Sequence, residues 1–439
     1  MKTAIVVGSG AGGATAAREL QGAFAVTVLE AGGEFHRLTP KLSTLETLRK
    51  TGVLIDEREI PLIFPHFRVR KTGDGMVLLH GRGLGGTTTI CTGNGLRMDR
   101  DLRALGIDLN REFDEIYREI PISTAHQAGW HQTTRRLFEI CQEMGLDPWA
   151  TPKMGDYERC AHCGRCVLGC PHGVKWDSRT FLQVAVAAGA RVETGCRVER
   201  IVFEHGRATG VQARRGLRSV FYPADLIVLA AGGFATPAIL DASGIPCERR
   251  LFVDPVLWVA GRAEGSGQCY EVEMPFVAQR EHFIVSPYFD LLTFFFNRAA
   301  RYPAVDTVGL MIKLADSDQG SVTARGVTKT LRDVDHERLR EGVEVCEEVL
   351  RRFGVEEGSV FLGTLNGGHP GGSLPLTRRE AATMHDARLP DNVYVADATL
   401  IPRALGNPPI LTIVALAKRV SRCCIDAWSD TRAPALAAS

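Results

Sequence analysis

The chain has 439 residues, of which 45% are hydrophobic and 23% are charged. These proportions are typical of a globular protein with a large core, and they exclude a disordered or fibrous chain. The 52 basic and 51 acidic residues leave a formal charge of +1, so no basic field favours binding to nucleic acid or to an anionic membrane.

The N-terminal sequence predicts a protein that is not exported. Residues 1–7 run directly into an apolar strand, without the basic region and long apolar stretch of a signal peptide, and no segment reaches the length of a membrane span. The 12 cysteines of such a chain indicate thiols that are reduced or bound to metal instead of a disulfide framework. We therefore expect a cytoplasmic protein without a membrane span.

The first motif follows the first predicted strand. Residues 3–8 have the pattern of a buried parallel strand, and a G-x-G-x-x-G motif leads from it into a helical stretch at residues 13–20. In this motif Gly8 permits a tight turn, Gly10 lets backbone amides approach a pyrophosphate, and Gly13 lets the helix pack on the sheet. The helix N-terminus presents partial positive charge to phosphates. The segment predicts a dinucleotide-binding turn.

A second strand, at residues 25–29, ends in Glu30. A carboxylate at this position can accept hydrogen bonds from ribose hydroxyls and disfavours a 2′-phosphate, so FAD or NAD is preferred to NADP. The alternative is a glycine-rich turn that binds nothing. The flanking strand, helix and terminal acid argue against that alternative.

The most distinctive motif is a run of four cysteines that follows a helix-like stretch at residues 130–145. Its spacing, C-x2-C-x2-C-x3-C-P, is the one that bacterial ferredoxins use to hold iron–sulfur clusters. We expect a [4Fe-4S] cluster with the ligands Cys160, Cys163, Cys166 and Cys170.

Three alternatives stay open at this motif. A zinc site could use the thiols together with His162 or His172, although zinc modules usually separate their ligand pairs by a dozen or more residues. The loop could also be redox-inert. Because the fourth cysteine of a two-cluster ferredoxin serves the other cluster, the fourth ligand could instead be one of Cys91, Cys141 and Cys196.

The middle of the chain carries no catalytic motif. Residues 307–314 have the pattern of a strand and residues 334–353 that of a helix. The most apolar aromatic stretch lies at residues 289–296. It is interpreted first as core, second as an apolar wall for a bulky alcohol, and third as a docking surface for another subunit.

The chain resembles the glucose-methanol-choline (GMC) family of flavoprotein oxidoreductases in four stretches, in the order in which that family has them. The first stretch is the loop GRGLGGTTT together with the following Asn94. The second is a pair of predicted strands, and the third, which comes after them, is LIVLAAGGFATPAILDASGI. The fourth is the C-terminal segment that contains Asn-Pro-Pro. They lie at residues 81–97, 191–211, 226–245 and 393–409. The full ferredoxin-type cysteine run is absent from the best-known oxidases of this family, so the chain resembles a variant of it.

The resemblance implies an α/β fold. It consists of a Rossmann-like FAD-binding domain of GMC type, an interleaved α+β substrate domain and a small iron–sulfur-binding insertion. The FAD-binding lobe is expected at residues 1–125, 181–245 and 361–439, the cysteine-rich segment at 126–180, and the substrate or cap lobe at 246–360. The residues that match the family's FAD contacts, beyond the first glycine motif and Glu30, are Gly85, Gly86, Thr87, Asn94, Val198, Gly232, Asp397 and Pro408.

The resemblance also assigns two catalytic residues. His369, in the glycine-flanked loop NGGHPGG, matches the family's catalytic histidine, and imidazole can accept a hydroxyl proton at neutral pH. Asn407 matches a partner position whose amide could hydrogen-bond the substrate oxygen. The alternatives are a loop histidine bonded to backbone and, for Asn407, the N-cap of a helix predicted at residues 408–427, with Pro408 as its first residue.

Together these features predict an FAD-dependent dehydrogenase that oxidises an alcohol, apolar or bulky, or runs in reverse on a ketone. Hydride would move to flavin N5, and electrons would leave singly through the cluster to a ferredoxin-like protein or a quinone-linked subunit that docks near residues 156–178. One alternative is an oxygen-using alcohol oxidase with a structural metal or an inert cysteine loop. The other is a non-catalytic electron-transfer subunit of a larger complex.

Overall fold

A computed structural model describes residues 1–36, 46–47, 49–50 and 56–430. Residues 37–45, 48 and 51–55 of the expected first FAD-binding segment, and residues 431–439 of the expected last one, lie outside the described residues.

The centre of the fold is a five-stranded parallel sheet with the order β21-β12-β1-β2-β8. Its inner strands are nearly continuous runs of buried apolar residues, as expected for a parallel sheet covered on both faces. The strands lie at Val393–Val395, Leu226–Leu229, Thr3–Val7, Ala25–Leu29 and Arg191–Glu193. The strands predicted at residues 3–8 and 25–29 are confirmed.

The helix after β1, α1, spans Ala11–Leu20 and begins two residues earlier than predicted. Its small residues allow close packing against the C-terminal helix, which spans Ile410–Asp430. A Cβ at Gly12 would lie 1.7 Å from the carbonyl oxygen of Ala396, in the loop after β21. The helix is therefore in contact with the C-terminal segment at a distance that only glycine allows.

A second, nine-stranded sheet lies beside the first and gathers strands from distant parts of the chain. Its order is β3-β4-β20-β13-β16-β15-β14-β6, with β19 also paired to β13. The strand predicted at residues 307–314 is its central member β16, in which all eight residues are buried. The aromatic stretch at residues 289–296 is buried in a hydrophobic cluster of its own, which confirms its interpretation as core.

Beside these two sheets, the described chain has three smaller ones with the orders β11-β10-β9, β17-β18 and β5-β7. The remaining strands are β3 Phe67–Lys71, β4 Val77–Gly81, β5 Ile122–Ser123, β6 Trp149–Ala150, β7 Lys153–Met154, β9 Cys196–Glu204, β10 Arg207–Arg215, β11 Arg218–Pro223, β13 Val256–Arg262, β14 Phe276–Gln279, β15 Phe283–Pro287, β17 Gly320–Thr323, β18 Gly326–Lys329, β19 Phe361–Leu362 and β20 Asn366–Gly367. The helices are α2 Ile60–Ile63, α3 Arg100–Ala104, α4 Asn110–Glu119, α5 Gln132–Glu143, α6 Arg179–Ala187, α7 Ala235–Ala242, α8 Leu291–Phe296, α9 Asp333–Phe353 and α10 Ile410–Asp430. Within the described residues, none of these helices is both long and apolar enough to cross a bilayer.

Two neighbouring glycines give a matched test of this packing. In Gly12→Ala the new methyl group would overlap the carbonyl of Ala396, whereas Gly10 has no heavy atom within 4 Å of an added Cβ and has an ordinary backbone φ of −69°. We expect Gly12→Ala to lose about 1–3 kcal/mol of unfolding free energy, and Gly10→Ala to lose less than about 1 kcal/mol. Thermal unfolding of the cofactor-free proteins measures both; equal losses would contradict the described contact.

Candidate active site and cysteine cavity

The carboxyl ends of β1 and β12 mark the cleft in which a dinucleotide is expected to bind. The chain continues from β1 to β2 on one side, whereas β12 pairs on the other side, and ligands of open α/β sheets bind at such a reversal of strand order. Gly10 follows β1 and Gly232 follows β12, and an added Cβ at either position would meet no heavy atom within 4 Å. The backbone is thus accessible on both sides of the cleft.

The loop between β4 and residue 90 packs on the first glycine motif. Gly85 and Gly86 both have left-handed backbone conformations, with φ of +90° and +52°, which favour glycine. A Cβ at Gly86 would lie 3.0 Å from the Cα of Gly10. Thr87 closes the loop, since its Oγ1 accepts the backbone N–H of Gly81 at 3.1 Å.

Glu30 lies at the end of β2 and organises these loops. One carboxylate oxygen accepts the N–H and hydroxyl of Ser9 at 3.1 and 2.7 Å. The other accepts the N–H groups of Gly32 and Gly83 at 2.8 and 3.2 Å. Protein donors therefore occupy the four acceptor positions of this carboxylate, and the contact with ribose stays a prediction.

Ser178, which no sequence motif indicated, joins the two glycine loops. Its hydroxyl donates to the carbonyl oxygens of Ser9 and Gly85 at 3.0 and 3.1 Å. Its backbone N–H donates to Thr88 Oγ1 at 3.0 Å. The residue is fully buried. Its hydrogen bonds join the N-terminus of α6 to both glycine loops of the cleft.

Two further residues assigned by resemblance lie in the interior. The Asn94 side chain is buried and donates to the sulfur of Met274 at 3.0 Å, while its oxygen accepts from the Lys153 ammonium. Val198 lies in β9, opposite Ala213 of β10. Their assignment to FAD binding stays a prediction.

Asp397 supports the cleft from the β12 side. Its carboxylate accepts the Gly232 N–H at 2.8 Å and the Thr236 hydroxyl at 2.6 Å, and the Thr399 N–H at 2.9 Å. Burial raises the pKa of this carboxyl group, and these hydrogen bonds oppose the rise. Asp397 therefore fixes the turn at Gly232.

The loop of His369 lies against the same turn. A Cβ at Gly233 would lie 2.0 Å from the carbonyl oxygen of Pro370, so the loop and the turn are in backbone contact. The His369 side chain is 22% exposed, and its Nδ1 lies 3.4 Å from Asp254 Oδ2. Burial and the nearby Lys313 ammonium lower the pKa of His369 to about 4, with Asp254 opposing them. The imidazole is neutral at pH 7.

Asp254 is the site residue that the sequence did not indicate. It is fully buried just before β13, has a left-handed φ of +46°, and accepts the Gly406 N–H at 3.1 Å through Oδ1. It lies outside every motif, and only the three-dimensional contacts with the loops of His369 and Asn407 reveal it.

The region of Asn407 differs from the prediction in one respect. The last helix, α10, begins at Ile410 and not at Pro408, and the amide of Asn407 donates to Gln279 Oε1 at 3.0 Å. The N-cap interpretation is therefore wrong, because the side chain bonds to β14 instead of to the helix. Both Asn407 and Pro408 are buried.

The four cysteines of the motif line one cavity. The space between them measures about 350 Å³ when the open solvent at its mouth is included. The other thiols proposed as fourth ligand are not among its lining residues; Cys141 and Cys196 lie in separate hydrophobic clusters. Among the described residues no three His, Cys, Asp or Glu side chains converge closely enough to hold a metal ion. Metal binding here would require the thiols to turn within the cavity.

Two buried lysines flank this cavity. Lys175 lines it and donates to the carbonyl oxygens of Thr88, Thr89 and Cys91 at 3.1, 2.9 and 2.8 Å. The Lys153 ammonium is also fully buried and donates to carbonyl and amide oxygens. Burial lowers the pKa of Lys153 to about 8. Within the described chain neither lysine forms an ion pair.

The cavity and the cleft share a wall. The turn Cys166–Leu168 packs against the turn Gly86–Ile90, and a Cβ at Gly169 would lie 3.6 Å from the Thr89 carbonyl oxygen. The loop that packs on Gly10 thus contacts the cysteine motif on its other side.

These residues fit a flavin dinucleotide. A cradle of accessible backbone at Gly10 and Gly232 faces the N-terminus of α1, which attracts a pyrophosphate. His369 lies at the edge of this cradle through the contact of its loop with Gly233.

Comparison with known proteins agrees with this fit. The family model described as GMC oxidoreductase matches residues 3–257. An uncharacterized protein of Methanocaldococcus jannaschii is 25% identical over 95% of this chain and 98% of its own length. Long-chain-alcohol oxidase FAO4A of Arabidopsis thaliana is 25% identical over 94% of this chain and 67% of its own length.

A solved structure shows the same fold. Pyridoxine 4-oxidase from Mesorbium loti superposes with a TM-score of 0.69 over 96% of this chain and 99% of its own, at 16% identity. The family match, the relatives and the cleft agree: the chain belongs to the GMC oxidoreductase family and is an FAD-dependent oxidoreductase.

Proposed function

We propose that the enzyme oxidises the CH–OH group of an apolar or bulky alcohol, with His369 as general base, and passes electrons through a [4Fe-4S] cluster in the cysteine cavity to a partner protein. The observation that carries the proposal is the contact between the His369 loop and the Gly232–Gly233 turn of the dinucleotide cleft. It supports a proton acceptor beside the expected FAD site.

The imidazole of His369 has the properties of a general base. An alcohol releases hydride readily only while its hydroxyl proton is being removed, and a neutral imidazole can take that proton. Bound FAD supplies the hydride acceptor. Asn407, whose amide is held by Gln279, is the proposed partner that hydrogen-bonds the substrate oxygen.

The relatives support the substrate class. A long-chain-alcohol oxidase is similar over 94% of this chain, and the fold is that of a pyridoxine 4-oxidase. The first name describes oxidation of an alcohol, and both describe oxidases.

The charges around the cysteine cavity support an anionic occupant. Buried charges are normally paired, yet Lys153 and Lys175 bond only to neutral oxygens and sulfur among the described residues. The nearby Glu273 is buried, and burial raises its pKa to about 8, so it offers little negative charge at neutral pH. A cluster held by four thiolates carries net negative charge and would compensate both lysines.

The position of the cavity supports one-electron transfer to a partner. On one side the Cys166 turn packs on the loop beside the cleft. On the other side Cys160, Cys163 and Cys170 are partly exposed, next to exposed His172. A cluster at this position would lie between the cleft and the surface, where a redox partner can dock.

An oxygen-using oxidase is the second candidate, because the similar proteins with a named activity are oxidases. Peroxide formation under air, compared with anaerobic turnover of a one-electron dye, separates the two. High peroxide yield with no dye reduction would contradict the dehydrogenase proposal.

Replacement of the base gives the first functional test. In His369→Gln we expect the rate of anaerobic flavin reduction by a primary alcohol such as 1-octanol to fall by about 10²- to 10⁴-fold, because general-base catalysis is lost. Stopped-flow absorbance measures this rate, and FAD content must stay unchanged. His385→Gln, in which the lost histidine bonds to the Pro390 carbonyl outside the site, serves as control. Equal rates in both variants would contradict the assignment.

The pH dependence follows from the lowered pKa of His369. Because the neutral imidazole is the active form and its pKa is about 4, kcat/KM should be nearly equal at pH 5 and pH 8, and should fall only as the pH drops through about 4. An unshifted histidine with a pKa of ~6.5 would lose about thirtyfold in rate at pH 5. A loss of that size would show that Lys313 and burial do not act on His369 as described.

The metal content of the purified protein tests the proposed cluster. Anaerobically purified protein should contain about four irons and four acid-labile sulfides per chain, and Cys163→Ser should lose most of them. Cys423→Ser, which removes a thiol that is also partly buried but lies outside the cavity, should retain them. Zinc alone, or no metal, would overturn the electron route and leave the FAD site intact.

A further inference from the structure

We propose that Asp254 is a positioning residue that holds the His369 imidazole with its proton on Nδ1 and its lone pair on Nε2, and that the same carboxylate sets the loop of Asn407 beside it. The inference rests on the proposed role of His369 as base. It adds a residue that matches no motif in the sequence.

The carboxylate joins two loops that are distant in the sequence. Asp254 Oδ2 lies 3.4 Å from His369 Nδ1, and Oδ1 accepts the backbone N–H of Gly406, next to Asn407, at 3.1 Å. One fully buried side chain therefore fixes the distance between the two proposed catalytic residues.

The backbone at Asp254 is held in an uncommon conformation. Its φ of +46° is left-handed, which is unfavourable for a residue with a Cβ and persists only where the surroundings determine it. Two contacts do so. The Asp254 N–H donates to Asp316 Oδ1 at 2.9 Å, and the Lys313 ammonium donates to the Asp254 carbonyl oxygen at 3.2 Å.

The neighbouring charges determine which tautomer of His369 is favoured. The Lys313 ammonium lies 4.0 Å from Asp254 Oδ2 and forms an ion pair with it. An ionised carboxylate can only accept hydrogen bonds. The Nδ1 of His369 must therefore be the donor, which leaves Nε2 as the basic nitrogen. Among the described residues, no hydrogen-bond partner is found for that Nε2.

The isosteric variant Asp254→Asn reverses this relation. The asparagine oxygen can still accept the Gly406 N–H, but its NH₂ group would donate to Nδ1 and move the imidazole proton to Nε2. We expect a fall of about 10²- to 10⁴-fold in the rate of flavin reduction by 1-octanol, with FAD content unchanged.

The tautomer itself is measured without substrate. Long-range ¹H–¹⁵N correlation spectra of ¹⁵N-histidine-labelled holoenzyme distinguish the two ring nitrogens, and the signals of His369 are those lost in His369→Gln. We expect the proton on Nδ1 in the wild type and on Nε2 in Asp254→Asn. In Asp316→Asn, which removes a carboxylate that bonds to the backbone N–H groups of Val253 and Asp254 and to Lys329 but not to His369, the proton should stay on Nδ1.

Each outcome decides the proposal. A wild-type spectrum with the proton on Nε2 overturns it, and this result does not depend on whether the Asp254 variant folds. An unchanged tautomer in Asp254→Asn also overturns it. If His369→Gln keeps the wild-type rate of flavin reduction, the role of His369 as base fails, whereas the spectra still report the pairing of Asp254 with His369.

Discussion

The structure depends on close backbone contacts that only glycine permits at the carboxyl ends of β1 and β12. Gly12 touches the Ala396 carbonyl, Gly86 touches Gly10, and Gly233 touches the Pro370 carbonyl. These contacts bring five separate segments of the chain to one cleft. Each added methyl group would separate two of them, so the shape of the cleft is determined by backbone packing more than by side-chain interdigitation.

The cysteine segment is joined to this arrangement through backbone carbonyl oxygens. Lys175 comes from the end of the cysteine motif and donates to three carbonyls of the loop that packs on Gly10. Ser178, three residues later, bonds to both glycine loops. The geometry of the cysteine segment therefore cannot change without displacing the loop that packs on the first glycine motif.

Local patterns predicted the elements and the glycine motifs well. The strand Thr307–Leu314 has the predicted bounds because it is a continuous apolar run, and α9 begins at Asp333, one residue before its predicted start. The start of α10 was misplaced because Asn-Pro is also the pattern of a capped helix, whereas the Asn407 amide bonds to Gln279 across the fold. Local sequence cannot distinguish an Asn-Pro pair that caps a helix from one whose asparagine bonds to a distant strand.

The contacts that tune the site were beyond local sequence. Asp254 and His369 are 115 residues apart, and each contact of Lys153 and Lys175 depends on the path of a distant loop. Single long-range contacts leave no periodicity or spacing in a sequence, so their residues resemble any other charged residue of the chain. The family resemblance indicated the proposed base, while the groups that contact it became visible only in three dimensions.

The two enclosed ammonium groups beside the cysteines have a consequence for how this pocket is filled. Their positive potential repels a bare divalent cation until several thiols have lost their protons, and burial raises the pKa of the Cys166 thiol well above its usual value. A preassembled anionic unit meets attraction instead of repulsion on the same path. If the cavity holds the proposed cluster, its charged walls would favour transfer of a finished inorganic core from a carrier over stepwise capture of free metal ions.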